Sequence, residues 1–361
     1  MSQKIRVGVI FGGQSGEHEV SIHSARSVME NLNSEKYDIL PIGISKQGVW
    51  HVGLSSFEEL GAEIPDSLRK RILVGSTAVP SENGNFLPDS SLRSVDVIIP
   101  VLHGPHGEDG TVQGLFELLD VAYVGAGVLA SAVGMDKAMM KSAFAHAGLP
   151  QCKYKVYLRH HWEQNSESIL SDIERELGFP CFVKPANLGS SVGISKAKDR
   201  ESLILAMREA ARYDRKIVVE EAVNAREIEV AVLGNDEPRA SVAGEIVPKA
   251  DFYDYNAKYV NGTSELIIPA ELTDQKMSEV RKLALQAYRA IDGSGLSRVD
   301  FFLERETGRL LVNEINTFPG FTVYSMYPKL WEATGLSYEN LLDELIGLAL
   351  ERHREKNQIS G

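Results

Sequence analysis

The chain has 361 residues, of which 43% are apolar and 24% charged, and its formal net charge is −12 at pH 7. This length exceeds what one hydrophobic core organises, so we expect two or three domains, and the composition is that of an ordinary globular protein. The acidic balance argues against nucleic acid or an acidic membrane surface as the main partner, although it is compatible with a local basic pocket for phosphates.

Cysteine usage and the N-terminus indicate the compartment. Cys152 and Cys181 are the two cysteines, and their spacing suits neither a metal site nor a redox motif, which favours a reducing compartment. The opening residues enter a strand directly, without a signal-peptide cleavage pattern. Apolar runs stay well short of the ~20 residues needed to span a bilayer. We therefore expect a cytoplasmic protein with no membrane partner.

The first predicted element is a buried parallel strand at Ile5–Phe11, followed by a glycine-rich turn and a helix from about Ser21 to Leu32. A strand, turn and helix in this order bring backbone N–H groups to a ligand. The glycine spacing fits neither the dinucleotide fingerprint nor the Walker motif. Glu17 and Glu19, at the start of the helix, also have a simpler explanation, because carboxylates there complement the helix dipole.

Two further strands of this sheet are predicted at Tyr37–Ser45 and Val95–Leu102, with Lys46–Arg93 as an elaboration between them. The second strand leads into the polar loop HGPHGEDG. Its His103 and His106 lie near acids, as in zinc sites, but the intervening Gly and Pro break the helix that would align them, so zinc is disfavoured. A polar loop at the carboxyl end of a strand is where α/β sheets bind substrates.

From Gly125 the sequence becomes rich in small residues, which indicates a domain boundary. A strand then ends at Lys184 and is followed by the glycine-serine loop Gly189–Gly193, which precedes another strand. Such a loop can lay its N–H groups over phosphate oxygens, and a lysine at its root supplies a point charge. The alternative is a flexible surface hairpin with an ordinary exposed lysine.

The next segment is predicted to hold a helix and three strands, at Asp199–Tyr213, Ile217–Val223, Glu227–Leu233 and Val242–Val247. Glu227 and Glu229 share one strand face. A carboxylate there could receive ribose hydroxyls, or the face could simply be exposed to solvent. Pro248–Thr263 is long, aromatic and without periodicity, which indicates an ordered lid.

After a predicted helix at Thr273–Ile291, the segment Ser297–Gly320 has the pattern of a β-hairpin. We expect a three-residue loop with Gly308 in the left-handed conformation, which pairs Arg305 with Arg309. A last helix is predicted at 337–354, with a leucine-rich stripe used for packing.

Counted back from that loop, Asp300 lies opposite Glu314 and Arg298 lies opposite Asn316. Directly opposed residues point to the same face of a hairpin, so their side chains converge. Three oxygen-bearing side chains on a rigid surface suit a hard cation such as Mg²⁺. The alternative is a solvated face with a cross-strand ion pair. The pattern favours the metal, because the acids lie inside apolar strands.

Seven motifs, in order between residue 10 and about residue 328, resemble those of D-alanine–D-alanine ligases, a family with the ATP-grasp fold of carboxylate–amine ligases. They are GGQSGEHEVS, HGPHGEDG, MDK, KPANLGSSVG, YDYNAKY, RVDFF and NEINTFPGFT. The resemblance implies a three-domain α/β ATP-grasp fold that begins with a Rossmann-like parallel-sheet domain. It places a substrate-binding domain at 1–125, a central domain with the phosphate loop at 126–220, and a domain with the lid and the metal-binding hairpin at 221–361.

The same resemblance implies a cytoplasmic homodimer that joins two D-alanines, using ATP, into a dipeptide for peptidoglycan. The implied catalytic residues are Glu17, His103, Ser190, Tyr259, Arg298 and Gly320. The implied ATP-binding residues are Lys137, Lys184, Ser191, Glu220, Glu221, Val223, Glu227, Phe252, Lys258, Phe302 and Asn313. The implied substrate-binding residues are Glu17, His103, Arg298, Gly320, Ser325 and Met326. Two Mg²⁺ (or Mn²⁺) ions are implied at Asp300, Glu314 and Asn316.

In detail, the resemblance implies that Glu17 receives the ammonium of the first D-alanine and is linked through Ser190 to Tyr259. Arg298 and the N–H of Gly320 are implied to stabilise an oxyanion. Two alternatives stay open, namely an ATP-grasp ligase that makes a D-lactate ester and a nucleotide-binding regulator without turnover. A Tyr at position 259 accompanies amine acceptors in the family, so we expect Tyr259→Phe to raise the use of D-lactate relative to D-alanine.

Overall fold

The computed structural model of the chain describes residues 3–69, 71–72, 89–189, 192–247 and 265–358. These residues form three β-sheets with helices packed against them, one sheet largely parallel and two antiparallel. The mixed α/β class predicted from the sequence is confirmed. Within the described ranges, none of the helices has both the length and the apolar composition needed to cross a membrane. The predicted lid at 248–263 lies outside the described residues.

The first sheet consists of β1 (Ile5–Gly12), β2 (Tyr37–Ile44), β3 (Trp50–Val52), β4 (Val97–Val101) and β5 (Ala122–Tyr123), in the order β3-β2-β1-β4-β5. β3 is antiparallel to β2, and the other neighbours are parallel. The associated helices are α1 (His18–Asn31), α2 (Ser55–Glu59), α3 (Asp66–Arg69), α4 (Asp89–Leu92) and α5 (Thr111–Leu119). The connections leave β1 in opposite directions, so the carboxyl ends of β1 and β4 flank the crevice where such sheets bind ligands.

The apolar character of β1 follows from burial on both of its faces. Val7, Val9 and Phe11 pack into one hydrophobic cluster, and Ile10 packs into another on the opposite side. At the end of β1 the chain turns sharply, and Gly12 has a φ of +89°. A β-carbon there would stand 2.2 Å from the carbonyl oxygen of Ile44, so this turn requires glycine. The turn brings the following residues over the sheet edge.

The second sheet consists of β6 (Tyr154–Leu158), β7 (Cys181–Pro185), β8 (Ser195–Ala197) and β9 (Lys216–Glu221), in the antiparallel order β6-β9-β7-β8. Helices α8 (Arg159–Glu176) and α9 (Arg200–Tyr213) cover one face through a shared apolar cluster. Asp199 begins α9 with a capping box, in which its side chain and that of Ser202 accept each other's backbone N–H groups. The strands predicted on either side of the glycine-serine loop are present as β7 and β8, and they pair with each other.

The third sheet consists of β10 (Ala225–Leu233), β11 (Arg239–Val247), β12 (Glu265–Ile267), β13 (Leu296–Glu304) and β14 (Leu310–Asn316), in the antiparallel order β12-β11-β10-β13-β14. Helices α6 (Val128–Met135), α7 (Lys137–His146) and α10 (Asp274–Ala290) bury one face of it. The alternation predicted for Glu227–Leu233 is thereby explained, because Ile228, Val230 and Val232 point into that core. Polar side chains point to the opposite face.

The hairpin of β13 and β14 has the predicted pairing at the polar residues, but the loop was predicted wrongly. The N–H of Glu304 donates to the carbonyl of Arg309, so the loop has one residue more than expected. Gly308 is left-handed as predicted, with a φ of +66°. A bulge between Asp300 and the following residue restores the register, and Asp300 lies opposite Glu314. The extra loop residue and the bulge cancel each other.

Two C-terminal helices, α11 (Met326–Ala333) and α12 (Tyr338–Gln358), join the first and third sheets through one hydrophobic cluster. The guanidinium of Arg352 fastens α12 to the chain after β5. It lies 4.4 Å from the centroid of the Tyr123 ring and donates to the carbonyls of Tyr123 and Gly125 and to the hydroxyl of Ser294. The predicted boundary at 125/126 lies beside this contact, and it stays a prediction, as does the one at 220/221.

Candidate active site

A cavity of about 490 Å³ lies where the loops after β1 and β4, the start of α7, the glycine-serine loop and the polar face of the third sheet meet. Many of the residues that were predicted from the sequence as site residues line this cavity, although they are far apart in the chain. Those lining the cavity are Glu17, His103, Lys137, Gly189, Arg298, Glu314, Asn316, Gly320, Ser325 and Met326.

Glu17 lies at the boundary between the first sheet and the glycine-serine loop. It is the N-cap residue of α1, is 9% exposed, and makes no side-chain capping hydrogen bond. Its Oε2 atom lies 3.0 Å from where a β-carbon on Gly104 would stand and 3.4 Å from the corresponding point on Gly189. The carboxylate is therefore directed into the cavity between two glycine-containing loops, and it does not act as a simple helix cap.

His103 and Glu108 form the wall of the cavity beyond β4. His103 is 5% exposed, and burial lowers the pKa of its imidazole, so the ring is neutral at pH 7. The N–H of Gly104 donates to Glu108 Oε2 at 2.6 Å. Burial of the carboxyl group, together with the Glu17 carboxylate, raises the pKa of Glu108 to about 8. Glu108 is accordingly protonated near neutral pH and leaves Glu17 as the anionic group of this wall.

Lys137 begins α7 and reaches the glycine-serine loop. The helix is capped by Asp136, whose side chain accepts from the N–H groups of Ala138 and Met139. From that start, Lys137 Nζ donates to the carbonyl of Leu188 at 2.7 Å and is 8% exposed. The lysine thus holds one end of the loop and presents a positive charge at the cavity wall.

Lys184 lies on β7, next to β9, and pairs with Glu220 across the two strands. Lys184 Nζ donates to Glu220 Oε2 at 2.8 Å, and both side chains are at most 10% exposed. Burial opposes the ammonium, but Glu220 and the more distant Glu314 raise its pKa, so Lys184 is charged at neutral pH. The interpretation of Lys184 as an ordinary exposed lysine is therefore wrong.

The polar face of the third sheet carries the remaining charges. Arg298 donates to both oxygens of Asp300, each at 2.7 Å, and its Nε lies 3.0 Å from Glu229 Oε2. The amide of Asn316 donates to Asp300 Oδ2 at 3.0 Å. The pair of Arg298 and Asp300 lies within β13, and the contacts to Glu229 and Asn316 join β13 to its neighbours β10 and β14. The face is partly to fully buried and its charges are paired, in contrast to the solvated hairpin face that was the alternative.

The donor set fits a magnesium ion. Asp300 and Glu314 supply two opposed carboxylates, and Asn316 adds an amide oxygen. Within the described residues, His, Cys, Asp and Glu side chains form no group of three that could hold a metal by themselves. Mg²⁺ is usually held by one or two carboxylates together with substrate phosphates and water, so two carboxylates and one amide oxygen are compatible with it.

The far end of the cavity is formed after β14. Met326 begins α11 and is buried, and Ser325 precedes it. The hydroxyl of Ser325 accepts from the N–H of Thr322 at 3.0 Å, and a β-carbon on Gly320 would stand 3.2 Å from it. This turn therefore places a backbone segment, a hydroxyl and a thioether at the cavity wall.

Other predicted residues lie near the cavity without lining it. Glu227 and Phe302 face each other on β10 and β13. The carboxylate of Glu221 accepts from the N–H of Lys153 at 2.8 Å, which occupies this side chain away from the cavity. The others lie in the connector after β9, at Val223, and next to the hairpin bulge, at Asn313. Ser190, Ser191, Phe252, Lys258 and Tyr259 lie outside the described residues.

Two acidic residues and one lysine at the site were not predicted as site residues. Glu108 and Glu229 line the cavity, and Lys141 lies behind it against Glu220. The only available signal for Glu229 was its shared strand face with Glu227. Lys141 stands one helical turn after Lys137, which places both lysines on the same side of α7.

Comparison with known proteins agrees with this geometry. Residues 6–126 match the family model described as D-ala D-ala ligase N-terminus, and residues 143–347 match the D-ala D-ala ligase C-terminus. The chain is similar to the D-alanine–D-alanine ligase of Bacillus cytotoxicus, with 51% identity over 99% of this chain and 98% of the relative. It is 53% identical to that of Thermoanaerobacter pseudethanolicus, over 98% of this chain and 99% of the relative.

Solved structures give the same result. The chain resembles the D-alanine–D-alanine ligase from Coxiella burnetii with a TM-score of 0.81 and 36% identity, over 99% of this chain and 97% of the other. It also resembles the VanG D-Ala:D-Ser ligase from Enterococcus faecalis with a TM-score of 0.80 and 36% identity, over 96% and 100% of the two chains. The fold is therefore the ATP-grasp fold, and the chain belongs to the D-alanine–D-alanine ligase family.

Proposed function

We propose that this chain joins two D-alanines into D-alanyl-D-alanine, with ATP converted to ADP and phosphate through an acyl-phosphate intermediate. The observation that supports this most is the position of Glu17 and Arg298 on the wall of a single cavity, alongside Lys137 and Glu314. One wall offers an anion for a substrate ammonium, and the other offers cations and metal ligands for phosphate. We further propose that the dipeptide serves peptidoglycan synthesis and that the enzyme acts as a cytoplasmic homodimer.

The nucleotide binds with its phosphates at Lys137 and Lys184 and under the glycine-serine loop. The backbone of the connector from Glu220 to Val223 and the carboxylate of Glu227 receive the adenosine. Asp300, Glu314 and Asn316 would hold two Mg²⁺ (or Mn²⁺) ions, which neutralise the phosphate charge when bound. Glu229 keeps Arg298 in place beside these ligands, since its carboxylate contacts the guanidinium independently of Asp300.

The first D-alanine binds with its ammonium at Glu17 and its carboxylate toward the phosphates. One carboxylate oxygen attacks the γ-phosphorus, the bond from that phosphorus to the bridging oxygen breaks, and ADP leaves. Neutral His103 and protonated Glu108 do not compete with Glu17 for the ammonium by charge. The product is an acyl phosphate, which is a far better acyl donor than a carboxylate.

The second D-alanine binds at the turn that carries Ser325 and Met326, and its uncharged amine attacks the carbonyl carbon. Negative charge then develops on the carbonyl oxygen. Arg298 and the backbone N–H of Gly320 stabilise that charge, and oriented donors of this kind commonly give the largest catalytic term. The bond to phosphate breaks, the nitrogen loses its proton, and the dipeptide and phosphate are released.

Isotope labelling tests both the reaction and its intermediate. With ATP, Mg²⁺ and D-alanine labelled with ¹⁸O in both carboxylate oxygens, we expect D-alanyl-D-alanine and one ¹⁸O atom in each released phosphate, measured by mass spectrometry. The label transfers because the attacking carboxylate oxygen stays on phosphorus. Dipeptide formation with unlabelled phosphate would contradict the acyl-phosphate step, and absence of dipeptide would contradict the ligase proposal.

The choice of second substrate is the alternative with a specific observation behind it, since one structural relative is described as a D-Ala:D-Ser ligase. Competition between D-alanine, D-serine and D-lactate, each at equal concentration, separates the candidates. We expect D-alanyl-D-alanine to dominate the products near neutral pH. A predominant D-alanyl-D-serine or D-lactate ester would reassign the second site while retaining the chemistry. A regulator without turnover would give no product in any mixture.

A further inference from the structure

A second buried lysine stands behind the Lys184–Glu220 pair. Lys141 is 1% exposed, and its Nζ lies 3.2 Å from Glu220 Oε1, whereas Lys184 Nζ contacts the other oxygen, Oε2, at 2.8 Å. Each carboxylate oxygen of Glu220 thus has its own ammonium. Lys141 Nζ also lies 5.4 Å from the centroid of the Tyr154 ring, on the strand beside Glu220.

The charges of Lys141, Lys184 and Glu220 do not cancel among themselves. Lys184 and Glu220 alone form a neutral buried pair. Adding Lys141 leaves one positive charge in excess, and burying a charge is costly unless something compensates for it. The Tyr154 ring face offers partial compensation. None of Lys141, Lys184 and Glu220 is among the residues that line the cavity, so the excess charge acts on a ligand from behind the cavity wall, through Lys184, which at 8% is the most exposed of the three.

The ionisation of Glu220 agrees with this arrangement. Burial alone would raise the pKa of its carboxyl group, but Lys141 and Lys184 together lower it to about 2. Glu220 is therefore permanently anionic and is shared by two cations. Because the one negative charge of Glu220 is shared by two ammonium groups, it compensates the charge of Lys184 only in part. The Lys184 ammonium therefore still attracts a further anion.

We propose that Lys141 is a positioning residue of the nucleotide site, which anchors Glu220 and supplies the excess positive charge that Lys184 directs at the ATP polyphosphate. The inference rests on the proposed function, which places ATP in this cavity. It assigns a role to a side chain that touches neither substrate nor metal. It also explains why α7 carries two lysines on one side, Lys137 at the cavity and Lys141 behind it.

Removal of the charge tests the assignment. We expect Lys141→Met to weaken the binding of ATP and of tripolyphosphate roughly tenfold, because one charge acts over several ångströms of protein. Binding of adenosine, which has no phosphate, should change less than about twofold. The KM for D-alanine should be unchanged. Isothermal titration calorimetry gives the three affinities, and circular dichroism confirms folding.

A second variant separates electrostatics from packing. The pair Lys141→Met with Glu220→Gln again leaves one net positive charge, on Lys184, so tripolyphosphate affinity should recover to within about threefold of the parent. If Lys141 served packing alone, the double variant would bind tripolyphosphate no better than the single one. The control Arg200→Met makes the same change in net charge at a surface ion pair with Glu167 and Glu174, and it should leave all three affinities unchanged.

The outcomes distinguish this inference from the function on which it rests. A parent enzyme that makes the dipeptide while Lys141→Met binds ATP and tripolyphosphate like the parent would overturn the role of Lys141 alone. Equal losses for adenosine and tripolyphosphate would also overturn it. A parent that binds tripolyphosphate but forms no dipeptide would instead overturn the proposed ligase activity.

Discussion

Replacement of Arg298 by Met should impair both catalysis and stability. The guanidinium contacts two carboxylates at 3.0 Å or less, those of Glu229 and Asp300, whose side chains are 7% and 13% exposed. Removing one partner of a buried ion pair lowers the free energy of unfolding by about 3–5 kcal/mol. Because the carboxylates left without a partner can take up protons, we expect a loss at the lower end, about 3 kcal/mol. Loss of a donor to a developing oxyanion lowers kcat by about 10²–10³-fold.

The hairpin itself provides the control. Arg309 pairs with Glu304 at 3.1 Å, but its side chain is 63% exposed, so Arg309→Met should cost at most about 1 kcal/mol and leave kcat unchanged. Urea denaturation gives the free energy of unfolding, and release of phosphate gives kcat. If Arg298→Met kept kcat within threefold of the parent, the assignment of Arg298 to the oxyanion would be refuted. If its stability matched that of Arg309→Met, the buried pairing would be refuted.

Two further predictions concern ionisation. The pKa of Glu108 is about 8 in the fold and about 4.3 in an unfolded chain, so folding takes up a proton between these pH values. The contribution of Glu108 to the free energy of unfolding is therefore full below pH 4 and is lost as the pH rises through 8. Glu108→Gln should therefore flatten the pH dependence of the unfolding free energy between pH 5 and 8, and an unchanged slope would refute this. Burial raises the pKa values of the Cys152 and Cys181 thiols to about 11. Neither thiol should react with a disulfide reagent at pH 7.5 in the native protein, and both should react in guanidinium; rapid native labelling of either would contradict this.

Local sequence patterns were sufficient to predict most of the helices and strands. The run Ile5–Phe11 is buried on both faces, and Ile228, Val230 and Val232 alternate with polar neighbours, so burial and periodicity predict these strands directly. The hairpin shows where such patterns stop. The loop length depends on the hydrogen bond between Glu304 and Arg309, which the sequence does not show. The sequence also does not show the bulge that offsets the extra loop residue and restores the register.

Site residues that belong to sequence motifs could be predicted, whereas those whose role depends on tertiary packing could not. Glu17, Arg298 and Asp300 were found from motif and register. Lys141, in contrast, occupies a helix position that suits a surface lysine as well, and only the approach of β9 to α7 makes it a buried cation. The pKa of Glu108 likewise depends on enclosure by a separate loop and on Glu17, which the sequence does not place beside it.

Phosphate release from ATP and Mg²⁺, measured with D-alanine, with L-alanine and with neither, tests most directly whether the cavity between Glu17 and Glu314 is a D-alanine ligase site. We predict rapid release with D-alanine only, and a loss of at least about 10²-fold in Glu314→Gln, since this change removes one of two metal carboxylates. Release that is independent of D-alanine, or equal Mg²⁺-dependent turnover in parent and variant, would contradict this assignment.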